Sequence, residues 1–123
     1  MRALVIDDSR TARIIIGQIL REEGLEVIEA ANGQEGLDKL RESPGTGLVL
    51  VDWNMPVMDG LEFIRAVRAD ATFDGVRIMM VTTETEQAQV LRALQAGANE
   101  YVMKPFTREV LVAKLSLMDA FGD

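Results

Sequence analysis

Five times in 123 residues a short apolar run gives way to a stretch with helical spacing, and this alternation constrains the fold more than any other feature. In chain order stand "ALVI", "TARIIIGQILREEG", "LEVIEA", "NGQEGLDKLRES", "LVLV", "GLEFIRAVRA", "VRIMMV", "EQAQVLRALQAG", "EYVM" and "REVLVAKLSLMDAF". The runs "LVLV" and "IMMV" carry no polar alternation, which fits parallel strands covered by helices on both faces. Five strand–helix units predict one α/β domain over residues 1–123, a doubly wound parallel sheet with right-handed crossovers, five strands, five helices and one core.

Side-chain oxygens of Ser9, Asn32, Asp59 and Thr107 stand where they can cap exposed helix amides, and Glu35 and Glu62 follow Asn32 and Asp59 at capping-box spacing. Gly24 and Gly97 supply left-handed stops. In the first helix Ala12, Ile15, Ile16, Ile19 and Glu23 form the stripe expected to point inward. The segments "SPGTG" and "DATFDG" read as loops.

Composition removes several chemistries. The chain has no cysteine and no histidine, so neither a thiolate site nor an imidazole base is available, and any metal must be a hard, oxygen-loving one. A net charge of −7, with arginines scattered among acids, opposes a direct grip on nucleic acid. The amino-terminal segment reaches paired aspartates before it is apolar enough for a signal peptide, and no later run approaches a membrane span. A cytoplasmic protein, monomeric and without membrane contact, is expected.

Ligands of doubly wound sheets sit beyond the carboxyl ends of the strands. The first strand ends in Asp7 and Asp8, the third in Asp52, the fourth in Thr82 and Thr83, and the fifth just before Lys104 and Pro105. The second strand contributes nothing, as expected of an edge strand. Three carboxylates at one rim repel and raise at least one pKa unless a cation shares the site. Mg²⁺ suits so small a cluster better than Ca²⁺ because it leaves places for waters and a phosphoryl oxygen. Asp7, Asp8 and the Asn54 backbone carbonyl would hold it with Asp52. Lys104 adds a fixed positive charge, and Thr82 a hydroxyl for an oxygen of a tetrahedral anion. These parts suit phosphoryl transfer onto a carboxylate, with Asp52 as nucleophile.

The segments "IDDS", "LVLVDWNMPVMDG", "VTTE" and "YVMKPF", in that order, resemble the receiver domain of two-component response regulators, most closely its stand-alone chemotaxis members. The resemblance covers essentially the whole chain. It implies a flavodoxin-like sheet of strand order 2-1-3-4-5. Asp52 becomes the phosphoacceptor, Asp8 a direct and Asp7 a largely water-mediated Mg²⁺ ligand, Thr82 the switch hydroxyl, Lys104 the phosphoryl-binding cation, and Tyr101 an aromatic switch that turns inward when Thr82 is drawn to the phosphate. It implies a cis peptide at Lys104–Pro105, where proline lowers the cost of cis. Asn54 and Glu84 would flank the approach of hydrolytic water. A sensor histidine kinase is the implied phosphodonor and a downstream output protein the target; a flagellar motor switch protein is named for that role by the resemblance alone.

Other residues have plainer readings. Asp59 reads as a helix cap, the seven methionines as core filler, and Trp53 as a partly exposed loop aromatic that can report on Asp52. In the fourth helix Leu91 and Ala88 are expected to face the sheet, leaving Val90 and Leu94 at the opposite edge. In the last helix Leu111, Leu115 and Met118 form one stripe and Val110, Leu117 and Phe121 another. With Tyr101 between these helices, Val90, Leu94, Tyr101, Val110 and Leu117 outline an apolar docking face for a partner, the alternative being a broad core face. Two rival functions remain: a receiver cut from a larger transcriptional or enzymatic regulator, and an aspartyl-phosphate phosphotransferase. An enzyme of the second kind wants an acid two residues after its nucleophile, where this chain has Asn54. The expected protein is a phosphoacceptor that catalyses only its own phosphorylation and dephosphorylation.

Overall fold

A computed structural model describes residues 1–83 and 87–118. Five strands, β1 (Arg2–Ile6), β2 (Glu26–Ala30), β3 (Thr46–Asp52), β4 (Arg77–Thr83) and β5 (Glu100–Lys104), alternate with five helices, α1 (Arg10–Glu22), α2 (Gly33–Glu42), α3 (Gly60–Arg68), α4 (Gln87–Ala96) and α5 (Arg108–Leu117). The sheet is parallel throughout, in the order β2-β1-β3-β4-β5. The flavodoxin-like topology is the one expected, with β2 at an edge. A single 3-10 turn, Ala71–Phe73, interrupts the predicted loop before β4.

Alternate residues of each strand serve opposite faces, as the two-residue strand period demands. Leu4, Ile6, Val49, Val51, Ile78 and Met80 pack with Leu37 and Leu40 of α2, Phe63, Ile64 and Val67 of α3, and Ala93 of α4. Ala3, Val5, Leu48, Leu50, Met79, Val81 and Val102 pack instead with Ile16 and Leu20 of α1 and Leu111 and Leu115 of α5. The expected single core is thus two, one on each side of the sheet. Removing a ring as deeply placed as Phe63, fully buried in the first of them, costs about 3–5 kcal/mol in comparable cores.

The helix starts follow the sequence closely. Ser9, Asn32, Asp59 and Thr107 each accept a backbone N–H three residues on. At Asp59 the capping box is complete, since Glu62 accepts the Asp59 N–H in return. At Asn32 only the first half forms: the Glu35 carboxylate pairs with Lys39 at 3.6 Å. Gly24 and Gly97 have φ of 89° and 122°, the left-handed backbone that ends a helix.

Two helices are rotated from the expected phase. In α1, Ile16, Gly17 and Leu20 face the core while Ile15 is 53% exposed and lines a shallow apolar groove with Ile16, Pro105 and Phe106. In α4, Ala93 is fully buried and Leu91 is 60% exposed, the reverse of the expected orientation, and Ala88 is exposed. A small residue against the sheet lets α4 approach closely, and the larger leucines turn outward.

At the end of the sheet away from the strand tips, Arg68 ties four segments together. Its guanidinium donates to the carbonyls of Gly97 (3.0 Å), Phe73 (3.1 Å) and Val76 (2.7 Å) and to the Asn99 side chain (2.9 Å). Asn99 Oδ1 also accepts the Ile78 N–H at 2.8 Å, so the α4–β5 turn is fastened to β4. Among the described residues no helix is long and apolar enough to cross a membrane.

Candidate functional site

Because every strand runs the same way, the carboxyl ends of β1, β3, β4 and β5 meet at one rim. Pairing of Ile6 with Val51 and of Asp52 with Val81 sets Asp7 beside Asp52 and both beside the end of β4. Pairing of Thr83 with Lys104 brings the lysine to the same level. The ladder continues one residue past Asp52, where the Trp53 backbone N–H donates to the Val81 carbonyl at 3.1 Å. That bond fixes the backbone from which the Asp52 side chain leaves.

One carboxylate oxygen from each of Asp7, Asp8 and Asp52 lies within 4.8 Å of the others. Asp7 is buried, a position a carboxylate tolerates only with partners. Its Oδ1 accepts the Ser9 N–H at 2.9 Å and its Oδ2 the Lys104 ammonium at 2.9 Å. Lys104 Nζ also stands 3.6 Å from Asp52 Oδ1. Asp8 is exposed, Asn54 lies exposed in the loop two residues beyond Asp52, and Thr82 is buried at the end of β4. Glu84 lies outside the described residues. The Lys104–Pro105 peptide is cis.

Charge is unevenly borne. Burial is the largest influence on Asp52, followed by the Asp7 carboxylate; with Asp8 they outweigh Lys104 and push its pKa up to about 6. For Lys104 burial works against the charged form, but the Asp7 hydrogen bond and the two carboxylate charges outweigh it and raise the pKa above that of a free lysine. The donor set is all oxygen and all anionic, which fits a hard divalent cation. An added cation would also offset both the burial and the neighbouring carboxylate charges that raise the Asp52 pKa.

Arg13 belongs to this site, although no motif in the sequence marks it. Its Nη1 donates to the Asp7 backbone carbonyl at 2.6 Å and its Nε to Glu29 at 3.0 Å, anchoring the turn that carries both aspartates. A basic residue one turn into the helix after "DDS" was the available signal. Its partner at the far end of β2 became visible only with the β1–β2 register, which pairs Val5 with Glu29.

The loop after Asp52 is tightly held. Gly60 N–H donates to the Trp53 carbonyl at 3.0 Å, and a Cβ at Gly60 would lie 2.5 Å from the Asp52 carbonyl oxygen. Trp53 is 8% exposed and packs in the α2–α4 core, so it is not the loop aromatic expected. Val57, 80% exposed, has φ of 69°, and the Met58 N–H donates back to the Pro56 carbonyl at 2.8 Å. This is a γ-turn of the rare positive-φ kind, strained for a β-branched residue.

Residues 3–116 match the family model described as the response regulator receiver domain. The chain belongs to that family. The receiver is 45% identical over 124 residues to chemotaxis protein CheY1 of Helicobacter pylori, with the full length of both covered. It is 46% identical over 116 residues to the chemotaxis protein CheY homolog of Campylobacter jejuni, covering 94% of this chain and 89% of the other. Among solved structures, Vibrio cholerae chemotaxis protein CheY4 superposes with a TM-score of 0.88 at 35% identity, covering 95% and 97% of the two chains. A probable two-component system response regulator/GGDEF domain protein superposes at 0.92 with 33% identity, and there the receiver spans 50% of the longer chain.

On the expected docking face, Leu94, Val110 and Leu117 are exposed at 38%, 45% and 72%, whereas Val90 and Tyr101 are half-buried. Leu91 joins the exposed apolar residues of α4. Leu111, Leu115 and Met118 are buried, as their stripe requires. Phe121 lies outside the described residues.

Proposed function

We propose that residues 1–123 form one receiver domain that acts as a phosphorylation-activated switch in a two-component system serving chemotaxis in the cytoplasm. A carboxylate oxygen of Asp52 attacks the phosphorus of a phosphohistidine on a sensor kinase. The new P–O bond forms as the P–N bond breaks, and the electron pair leaves on the imidazole nitrogen. Hydrolysis reverses the state when water attacks phosphorus and the Asp52 oxygen departs with its electron pair.

Asp7, Asp8, Asp52 and the Asn54 backbone carbonyl would hold Mg²⁺, with Asp8 a direct ligand and Asp7 acting largely through water. When bound, Mg²⁺ supplies positive charge to the phosphoryl oxygens. Lys104 then exchanges a carboxylate partner for a phosphoryl oxygen. Thr82 offers its hydroxyl to another, and Tyr101 follows Thr82 inward, altering the face carrying Leu94, Val110 and Leu117. That face would bind a downstream protein, for which a flagellar motor switch protein is the candidate. The chain acts on no separate substrate; it catalyses only its own phosphorylation and dephosphorylation.

The observation that carries this proposal is the convergence of three carboxylates and one ammonium at the rim of a receiver fold. The full-length likeness to proteins named for chemotaxis supports the biological setting. A second reading, a receiver joined to an output domain, is favoured by the half-length match to the GGDEF regulator. An aspartyl-phosphate phosphotransferase is disfavoured by Asn54.

The test is Trp53 emission during titration with Mg²⁺ and then beryllium fluoride, together with intact mass after exposure to a small phosphodonor. A Mg²⁺ response lost in Asp8→Ala, and a phosphate adduct lost in Asp52→Asn, are expected. An intact protein that gains no phosphate would overturn the assignment. Copurification with a flagellar switch component or with a transcription apparatus separates the two settings.

A further inference from the structure

Lys114 on α5 takes no part in the rim chemistry, yet its ammonium stands 4.1 Å from the centroid of the Tyr101 ring. It also lies 3.3 Å from Glu100 Oε1, and the same oxygen accepts the Tyr101 backbone N–H at 3.0 Å. One carboxylate therefore holds both the cation and the backbone of the aromatic residue beneath it. The Lys114 and Glu100 side chains are only 25% and 19% exposed, so the cation meets the ring in partly dry surroundings, where such contacts are strongest. On its other side Tyr101 packs against the core shared by α2, α3 and α4. The ring is thus fixed between that core and a charge delivered from α5.

We propose that Lys114, tethered by Glu100, is a positioning residue that holds the Tyr101 ring in its present place and sets how readily it moves. The proposal rests on the Tyr101 movement proposed above. A turn of the ring away from Lys114 would forfeit the cation contact, so Lys114 biases the ring towards its present position. Removing the charge weakens that bias without touching any rim group. Keeping the charge in another shape retains it.

Tyr101 is the only tyrosine in the chain, so protein labelled with 3-fluorotyrosine carries one tyrosine fluorine, whose resonance reports this ring alone. Spectra of the full chain would be recorded without Mg²⁺, and again with Mg²⁺ during a beryllium fluoride titration, for wild type, Lys114→Met and Lys114→Arg. Lys114→Met keeps the apolar stem and loses the charge. It is expected to shift the metal-free resonance towards its beryllium fluoride position. It should also lower the beryllium fluoride concentration for half-conversion roughly two- to fivefold, the factor a partly exposed cation–π contact supplies. Lys114→Arg should resemble wild type in both.

Identical metal-free spectra and midpoints for wild type and Lys114→Met would overturn the proposal, as would equal changes in both variants, which would mark ordinary packing. If the wild-type resonance ignores beryllium fluoride, the phosphoryl-driven movement of Tyr101 is what fails. Lys114 is then judged on fluorine relaxation in the metal-free protein: a more mobile ring in Lys114→Met alone upholds the positioning role, and unchanged mobility refutes it.

Discussion

The Lys104 ammonium touches Asp7 at 2.9 Å and approaches Asp52 to 3.6 Å, so a residue at the end of β5 neutralises acids at the ends of β1 and β3. Lys104→Met leaves a buried Asp7 without its cation. The metal-free protein should lose about 3 kcal/mol, the low end for a broken buried pair because the Lys104 side chain is 29% exposed. Mg²⁺ should restore a large part of that loss. Urea unfolding with chelator and with Mg²⁺ checks both halves; a loss indifferent to Mg²⁺ would mean that Lys104 serves packing and not charge.

The raised pKa of Asp52 makes metal-free stability depend on pH. An acid with a pKa of about 6 in the folded protein and an ordinary value of 3.8 when unfolded binds its proton more tightly when folded. Its contribution is complete below about pH 4 and is lost as pH rises through 6. At a solvent-screened rim the effect is on the order of 1–2 kcal/mol. Asp52→Asn should therefore be the more stable protein at pH 7.5 in chelator, with its advantage shrinking towards pH 4. Urea midpoints of the pair across that range give the answer.

Val57 is an exposed residue held at positive φ, where strain costs on the order of 1–3 kcal/mol. Asparagine tolerates that backbone, and the valine side chain has little packing to lose. Val57→Asn should raise stability by about 1 kcal/mol, read as a higher thermal midpoint. An unchanged or lower midpoint would show that the turn relaxes at no cost.

Gly60 permits a close approach that no other residue can make. Its missing Cβ would meet the Asp52 carbonyl oxygen at 2.5 Å and the Trp53 Cα at 3.0 Å, both backbone atoms that cannot swing aside. Gly60→Ala should cost about 1–3 kcal/mol and displace the end of β3. Weakened Mg²⁺ binding and altered Trp53 emission would accompany the loss; a stable variant with normal Mg²⁺ affinity would contradict this account.

Leu94 and Leu117 are exposed on α4 and α5 and are free to meet a partner. Leu94→Glu or Leu117→Glu should reduce capture of a flagellar switch protein at least tenfold while the phosphate adduct on Asp52 forms normally. Loss of both properties together, or of neither, would count against a docking face.

Most of the rim was legible because its residues immediately follow apolar runs, and parallel strands bring such positions to one side. Asp7, Asp8, Asp52, Thr82 and Lys104 needed only strand direction, not a long-range contact map. Helix orientation was harder to read. Three successive isoleucines in α1 fit more than one 100° phase, and the inward stripe lies on Ile16 and Leu20, not Ile15. In α4 side-chain size misled, since Ala93 and not Leu91 meets the sheet. Loop position alone suggests an exposed Trp53, whereas the ladder carries its backbone one residue beyond β3 and into the core. The strain at Val57 and the Arg13–Glu29 anchor depend on backbone angles and register, which residue types alone do not specify.

The fastening around Arg68 gives the molecule a braced end. The tail of α3, the start of β4 and the α4–β5 turn share one guanidinium, so rearrangement at the strand tips has little reason to reach them. Gly75 is exposed at this end, with no atom beyond its own chain neighbours within 4 Å of where a side chain would begin, and the chain contains no native thiol. A spin label on a cysteine introduced there would form a fixed benchmark, and distances measured from it would chart how far each tip travels when the protein changes state.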